Sequence, residues 1–452
     1  MFSAVERLIS MMSRRTSLPV LCVSLGFLGC QSTGDEIEQD AAAVNVALAT
    51  NECVPSSVET STYLIDVIST LPQSYGVPAQ VEVRRVRPIF DTQQCRAEAR
   101  VAVLQQGRTI DAITAFDPDY QDYSLMRSMA AAGIDTFTYN PLGYGHSSRF
   151  GLDDPCNASN AADLNANATQ PINQQDLLIP NPLATQCEHS DPTYFQDTAS
   201  AVEQLAAVIE HAGVADCGEG AREPTQRRKV NLLSWSLGGT TIGPYLARPD
   251  AQDRVERAIF VASGFGPSAT LPLDELPPEL RPTWPMGLSD ITALTGPSLF
   301  QVSPDCPGQR DPAMLQVLWN SIRANDPLAA AWGSSDRETG GLFRWPTTIR
   351  AAFNATQAAA IVLPVLVLDG VLDTIGKPVE LHAALGSAQK VRVRMDCGSH
   401  AVFWEGSTDP SGWAGPHVTG RDAVIEWFTK GTFGGATSGT FRSRVDGSVV
   451  PE

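Results

Sequence analysis

Short hydrophobic runs alternate with helix-like stretches along the chain from about residue 77. The runs are rich in Val, Ile and Leu, which predicts strands at Val81–Val86, Ala97–Leu104, Ala112–Phe116, Asp135–Asn140, Val230–Trp235, Ala258–Ser263, Val365–Asp369 and Val391–Met395. Helical spacing of the apolar positions between them predicts helices at Tyr123–Ala132, Tyr194–His211, Lys377–Leu385 and Val418–Lys430. This alternation predicts an α/β fold, doubly wound around a mainly parallel sheet of about eight strands.

Two stretches interrupt the alternation. Residues 151–192 are rich in Asn, Asp and Pro, which predicts a long loop over one end of the sheet. Residues 266–348 carry proline-rich segments and a weak helical pattern at Pro312–Arg323, which indicates a cap over the carboxyl edge of the strands. We therefore predict a first core part at 76–265, a cap at 266–350 and a second core part at 351–432. A flexible tail at 433–452 has too few apolar residues to pack.

The N-terminus has the pattern of an export signal. Arg14 and Arg15 precede the apolar stretch Leu18–Leu28, which is too short to span a bilayer. The stretch ends in Gly29-Cys30 and resembles a bacterial lipobox, with Phe27 where leucine is usual. That resemblance implies a signal peptide at 1–30, a lipid on Cys30 and anchoring in a bacterial envelope membrane, with secretion as a soluble protein as the alternative. Residues 31–75 are predicted to be a polar tether and an N-terminal segment.

Composition narrows the class of protein. The chain is 43% hydrophobic and 18% charged, which are globular values and exclude wholesale disorder. The net charge of −18 repels phosphate backbones and disfavours a nucleic-acid partner. An exported chain with several cysteines is expected to form disulfides, and Cys156 with Cys187 is one of the pairings that the sequence leaves open. No Cys/His cluster has metal-ligand spacing, so neither a metal nor a cofactor is expected.

The most informative motif runs from Asn231 to Gly239, with the sequence Asn-Leu-Leu-Ser-Trp-Ser-Leu-Gly-Gly. An apolar strand leads into Ser234-Trp-Ser236-Leu-Gly238 and then into a helix, which resembles the nucleophile elbow G-x-S-x-G with serine in place of the first glycine. Small residues are needed there because a sharp turn brings neighbouring backbones into contact. An ordinary helix cap rich in serine and glycine is the alternative interpretation.

Two later segments favour the elbow. A buried strand ends in Gly370-x-x-Asp373, and the strand after it leads into Cys397-Gly-Ser-His400. Upstream, the segment 140–148, Asn-Pro-Leu-Gly-Tyr-Gly-His-Ser-Ser, resembles D-x-x-G-x-G-x-S with asparagine first. Ser236, Asp373 and His400 occur in the chain order of an α/β-hydrolase triad. With this order and these motifs, residues 97–430 resemble the α/β-hydrolase superfamily, in its capped and exported form.

The resemblance implies a role for each residue. Ser236 is the nucleophile, His400 takes its proton, and Asp373 fixes the imidazole tautomer. The backbone N–H of Leu237 forms one half of the oxyanion hole. The other half is expected after the predicted strand at 112–116, where Pro118 has no N–H and Asp119 or Tyr120 becomes the donor.

Three residues compete with or support this set. His417 is the main rival to His400, although a helix start would lower its basicity. Asp369 belongs to the strand end itself, whereas Asp373 lies in the following loop, where a reaching acid is expected. Glu405 either supports the histidine loop or is a surface carboxylate.

These motifs imply a serine hydrolase whose partner is a small ester or acyl substrate. Carboxylic esters are favoured over amides because no Glu-Glu cluster in the cap suggests a subsite for a substrate amine. The alternatives are an exported aminopeptidase of the proline iminopeptidase type and a non-catalytic binding module of the same fold.

Overall fold

The computed structural model describes residues 53–71, 74–153, 198–215, 227–266, 286–296, 299–306, 308–330, 336, 338, 340–346, 353–406 and 415–452. Its strands are β1 (Ser57–Ile68), β2 (Pro78–Ile89), β3 (Arg100–Gln105), β4 (Ile134–Asn140), β5 (Val230–Trp235), β6 (Val255–Val261), β7 (Met286–Ser289), β8 (Phe343–Pro346), β9 (Val365–Gly370), β10 (Lys390–Met395), β11 (Gly439–Ser443) and β12 (Val449–Pro451).

Helices connect these strands. They are α1 (Gln93–Glu98), α2 (Ala112–Phe116), α3 (Leu125–Ala131), α4 (Thr198–Val214), α5 (Gly239–Leu246), α6 (Ala251–Arg254), α7 (Thr292–Thr295), α8 (Met314–Asn325), α9 (Ala355–Ala359), α10 (Pro378–Ala384) and α11 (Pro416–Lys430). Single 3₁₀ turns occur at Ser236–Gly238 and Val402–Trp404. Within the described ranges, no helix combines the length and apolar character that a membrane crossing requires.

The main sheet contains ten strands in the order β1-β2-β4-β3-β5-β6-β9-β10-β11-β12. Parallel pairing joins β4, β3, β5, β6, β9, β10 and β11, whereas β1, β2 and β12 join antiparallel at the two ends. Parallel neighbours bring their carboxyl ends to one edge of the sheet. The loops after β5, β9 and β10, which carry the predicted triad, therefore emerge at that edge, where open α/β sheets bind ligands.

Helices cover both faces of the sheet, which explains the continuous apolar runs of the central strands. In β5, Leu232 packs into a core with residues of α4 and α5. Its neighbour Leu233 points to the opposite face and packs with residues of α3 and α11. The predicted doubly wound arrangement is therefore present.

The segment 112–116 was predicted to be a strand and is helix α2 instead. Its five residues are too few for apolar periodicity to distinguish the two states. Asp111 decides the outcome, because its side chain accepts the backbone N–H of Thr114 at 2.9 Å and caps the helix. The strand that precedes the functional loop is β3, earlier in the chain.

The tail at 433–452 was predicted to be flexible, and it forms β11 and β12. β11 pairs in parallel with β10, and β12 pairs with β11. Backbone hydrogen bonds along a sheet edge need few apolar side chains, so low hydrophobicity did not indicate this element. β1 lies in the segment 31–75, for which we predicted no strand. It pairs with β2 and extends the opposite edge of the sheet.

The described part of the predicted cap consists of α7, α8 and a separate antiparallel pair, β7 and β8. Helix α8 contacts α2 through a 2.7 Å hydrogen bond between the hydroxyls of Ser321 and Thr114. Arg344 on β8 is buried and pairs with Asp326 and Asp153. These bonds fix the described cap elements to the core.

Candidate active site

Ser236 lies in a sharp turn between β5 and α5. Its φ of +54° falls in the left-handed region, which is strained for a residue with a side chain. A Cβ atom added to Gly238 would lie 2.6 Å from the carbonyl oxygen of Gln105, so glycine is required there. Ser234 fits in place of the usual glycine, with its hydroxyl 3.0 Å from that of Ser263. The turn therefore has the geometry of a nucleophile elbow.

The structure brings the three predicted triad residues together. His400 Nε2 lies 2.7 Å from Ser236 Oγ, and His400 Nδ1 lies 3.1 Å and 3.2 Å from the two carboxylate oxygens of Asp373. The side chains of His400 and Asp373 are 4% and 1% exposed. With Nδ1–H donating to the carboxylate, Nε2 is left as the acceptor for the serine hydroxyl. The three side chains therefore have the geometry of a Ser-His-Asp triad.

Asp373 is held in its charged form. Burial alone would raise the pKa of this carboxyl, but hydrogen bonds from His400 and from the backbone N–H groups of Ile375 and Gly376 outweigh it and lower the pKa. The competing acid Asp369 pairs with Arg392 and Arg394 instead. A charged Asp373 is the form that fixes the histidine tautomer.

His417, the rival base, has other partners. Its Nδ1 lies 2.9 Å from the carbonyl oxygen of Glu405, and its Nε2 lies 3.2 Å from Asp122. Its ring stacks on Tyr123 at a centroid distance of 4.1 Å. Burial lowers the pKa of this imidazole despite both hydrogen bonds. Both ring nitrogens are occupied, and it is His400 that contacts Ser236.

The loop after β3 reaches Ser236. A Cβ atom on Gly107 would lie 2.8 Å from Ser236 Cβ and 3.3 Å from its Oγ, so the backbone there is in contact with Ser236. The prediction of Asp119 as a donor depended on a strand at 112–116, and that segment is helix α2. Asp119 follows α2 instead, and its side chain is 87% exposed and paired with Arg127.

A sequence profile of the alpha/beta hydrolase fold matches residues 117–407, which is more than half of the chain. The chain belongs to the alpha/beta hydrolase fold family. The prediction of a hydrolase with this fold is thereby confirmed. No curated protein matches the sequence.

Solved structures similar to this hydrolase share little sequence with it. A monoacylglycerol lipase from Paleococcus ferrophilus is 15% identical, with 74% of this chain and 95% of the lipase covered and a TM-score of 0.38. An enol-lactonase from Burkholderia xenovorans is 16% identical, with 78% and 97% covered and a TM-score of 0.43. An esterase from Rhodococcus sp. is 15% identical, with 81% and 98% covered and a TM-score of 0.43.

In this hydrolase a buried carboxylate supports the histidine loop. Glu405 is 1% exposed and accepts the backbone N–H of Ser399 at 2.7 Å and the side-chain amide of Gln309 at 2.8 Å. Burial raises the pKa of this carboxyl to about 7. Of the two interpretations left open, support of the loop is therefore the one that the structure favours. The contribution of Gln309 was not visible in the sequence.

The cap holds the histidine loop through further contacts. A disulfide joins Cys306 in the cap to Cys397, three residues before His400. The backbone N–H of His400 donates to Gln301 at 3.0 Å, and the hydroxyl of Ser399 donates to the carbonyl of Leu299 at 3.1 Å. The loop of His400 is thereby fixed by covalent and polar contacts.

A second disulfide joins Cys53 to Cys95. The prediction that the chain contains disulfides is therefore confirmed. The suggested partners Cys156 and Cys187, and the lipidation site Cys30, lie outside the described residues.

The motif at 140–148 has a positioning role. Asn140 accepts the backbone N–H of Ala112 at 2.7 Å and donates to the buried carboxylate of Glu82 at 2.7 Å. Glu82 also accepts the backbone N–H of His146 at 3.0 Å. Asparagine is therefore an effective replacement for aspartate, because its amide donates where a second carboxylate would repel Glu82. Among the described side chains, no group of three His, Cys, Asp or Glu could hold a metal ion.

Proposed function

We propose that this hydrolase cleaves carboxylic esters through an acyl-enzyme on Ser236, with His400 as general base and Asp373 as the residue that orients it. The observation that carries the proposal is the continuous series of hydrogen bonds from Asp373 through His400 to Ser236 Oγ. In this arrangement His400 Nε2 can accept the serine proton while Asp373 orients the imidazole ring, as attack on a carbonyl requires.

The reaction then follows in two halves. As Ser236 Oγ bonds to the ester carbonyl carbon, its proton passes to His400 Nε2. His400 gives this proton to the leaving alkoxide, and the alcohol departs. A water molecule then loses a proton to His400 and attacks the acyl carbon, and the carboxylic acid leaves as Ser236 regains its proton.

The negative charge on the carbonyl oxygen needs donors during both halves. We assign one to the backbone N–H of Leu237, directly after the nucleophile at the start of the helical turn. The second comes from the loop after β3, whose Gly107 approaches Ser236 within van der Waals contact. This assignment replaces Asp119.

Fluorophosphonate labelling tests the nucleophile directly. The folded protein is expected to take one label on Ser236, and Ser236→Ala is expected to take none there. Absence of label on folded wild-type protein would favour the non-catalytic binding module.

Substrate preference is tested with p-nitrophenyl esters and amino-acid p-nitroanilides. Turnover of the esters is expected to be well above that of the anilides, since the cap residues give no reason to expect a subsite for a substrate amine. The reverse preference would favour the aminopeptidase alternative.

We also propose that the enzyme is exported and anchored through a lipid on Cys30. Disulfides such as Cys53–Cys95 are typical of oxidising compartments and support export. Cys30→Ser is expected to release the protein into the periplasm or medium, which cell fractionation measures. Wild-type protein that is soluble and carries no lipid would leave secretion alone as the explanation.

A further inference from the structure

The geometry assigns Arg108 as the residue that binds an anionic group of the substrate, so that the preferred esters carry a carboxylate. This inference rests on the proposed function, because it concerns the same site. Arg108 directly follows Gly107 in the loop after β3. From the contact between Gly107 and Ser236, Arg108 Cα lies within about 9 Å of the nucleophile oxygen.

The Arg108 side chain is positioned by the cap. Its guanidinium carbon lies 4.1 Å from the ring centroid of Trp345 on β8. Trp345 is itself buried, and its indole N–H donates to Ser289 on β7 at 3.0 Å. Stacking holds a guanidinium by its face and leaves the N–H groups at its edge directed outward. Such an edge matches the two oxygens of a carboxylate.

The backbone around Arg108 is also fixed. Thr109 has a φ of +76°, an uncommon conformation for a residue with a side chain. Its N–H donates to the Tyr144 hydroxyl at 3.2 Å, and its own hydroxyl donates to the carbonyl of Arg108. A charged group held in this way loses little entropy when a ligand binds.

Arg108 lacks a counter-charge in the described part of the chain. None of the ion pairs found there includes it, and its Nε is buried without a hydrogen-bond partner. The acids near β8 bind other arginines, since Asp153 pairs with Arg149 and with Arg344. Asp111, three residues further along, accepts hydrogen bonds from Thr114 and Asn325.

This lack of a partner is unusual in a chain with 50 acidic and 32 basic residues. A half-buried cation in the loop that contacts Ser236 loses part of its hydration, and hydrogen bonds to an incoming carboxylate would replace the lost water. The residue is therefore better explained by a ligand than by packing on Trp345 alone, which an uncharged side chain would achieve.

A matched pair of esters tests the inference. The acyl group of p-nitrophenyl hemiadipate ends in a carboxylate, and p-nitrophenyl 6-methylheptanoate replaces it with an isopropyl group of the same shape. Wild-type enzyme is expected to have the higher kcat/KM for the hemiadipate, through a lower KM, and 1 M NaCl should reduce this preference. Arg108→Met should lower the ratio of the two kcat/KM values about 10- to 100-fold. Arg108→Lys should retain part of it.

Arg310→Met is the matched control, because the guanidinium of Arg310 also stacks on an aromatic ring, that of Phe300 at 5.1 Å. This variant should keep the wild-type ratio, and circular dichroism should confirm that all variants fold. Equal turnover of both esters by wild-type enzyme, or an equal effect of Arg108→Met on both, would overturn the inference and leave ester hydrolysis intact. If neither ester were hydrolysed, the proposed function would fail, and the inference with it.

Discussion

Removal of the Cys306–Cys397 disulfide is expected to reduce catalysis more than its effect on stability alone would. The bond closes a span of 91 residues. In the chain-entropy description, a cross-link closing about 100 residues stabilises the folded state by about 4.7 kcal/mol. The Cys53–Cys95 bond, with a separation of 42, gives about 4 kcal/mol by the same relation. The two bonds therefore differ little in their expected effect on unfolding.

The two disulfides differ in their position relative to the proposed catalytic residues. Cys397 has a φ of +59°, so the chain leaves β10 through a conformation that an L-residue resists. The disulfide holds this turn against the cap three residues before His400. A displacement of about 1 Å at a catalytic group lowers the rate about 100-fold. We therefore expect Cys306→Ser/Cys397→Ser to lower kcat about 10- to 100-fold.

The assay compares two double variants. Urea unfolding should give a similar loss of stability for Cys306→Ser/Cys397→Ser and for Cys53→Ser/Cys95→Ser, whereas kcat on a p-nitrophenyl ester should fall only in the first. Dithiothreitol should reproduce this loss in wild-type enzyme and have no effect on kcat in the first variant. Equal kcat values in the two folded variants would refute the reasoning.

Four further substitutions test the site and the stability of the fold. His400→Ala is expected to lower kcat by at least ~10³-fold while circular dichroism shows intact folding. His417→Ala is expected to lower kcat only modestly. The opposite result would assign the role of base to His417. Gly107→Ala places a Cβ 2.8 Å from that of Ser236, so kcat should fall in protein that circular dichroism shows to be folded, and unchanged kinetics would exclude this loop from the oxyanion hole. Burial raises the pKa of Asp111 to about 6 from 3.8. This carboxyl should therefore lower wild-type stability by about 2 kcal/mol as pH rises from 4 to 7, and Asp111→Asn should lack this component when urea unfolding is compared at pH 4 and pH 7.

The proximity of Ser236, Asp373 and His400 could be predicted because its signals are local. An apolar strand followed by a serine between small residues defines the turn at Ser236 without knowledge of distant contacts. The order of Ser236, Asp373 and His400 then follows from which strands end at the same edge of a parallel sheet. Burial on both faces makes those strands continuous apolar runs, so β5, β9 and β10 were found within one residue of their observed ends.

The features that were missed depend on contacts between distant segments. Gln309 becomes a partner of Glu405 only when the cap folds onto the histidine loop, across 96 residues of sequence. β11 is held by its backbone pairing with β10, which leaves no hydrophobic pattern in the sequence. At 112–116 the composition suited a strand, and the local cap from Asp111 selected a helix.

The contacts of the cap indicate what it contributes to the site. Near Cys306 it binds the histidine loop, and through Trp345 it holds the side chain of Arg108. Arg344, next to Trp345, is buried and bonded to Asp326 and Asp153, an arrangement that is costly to open because separation would leave charges unpaired in the interior. These described parts of the cap therefore form a fixed wall of the site. Because that wall contacts both the loop of His400 and the side chain of Arg108, we expect a change in the cap to alter turnover and substrate preference together.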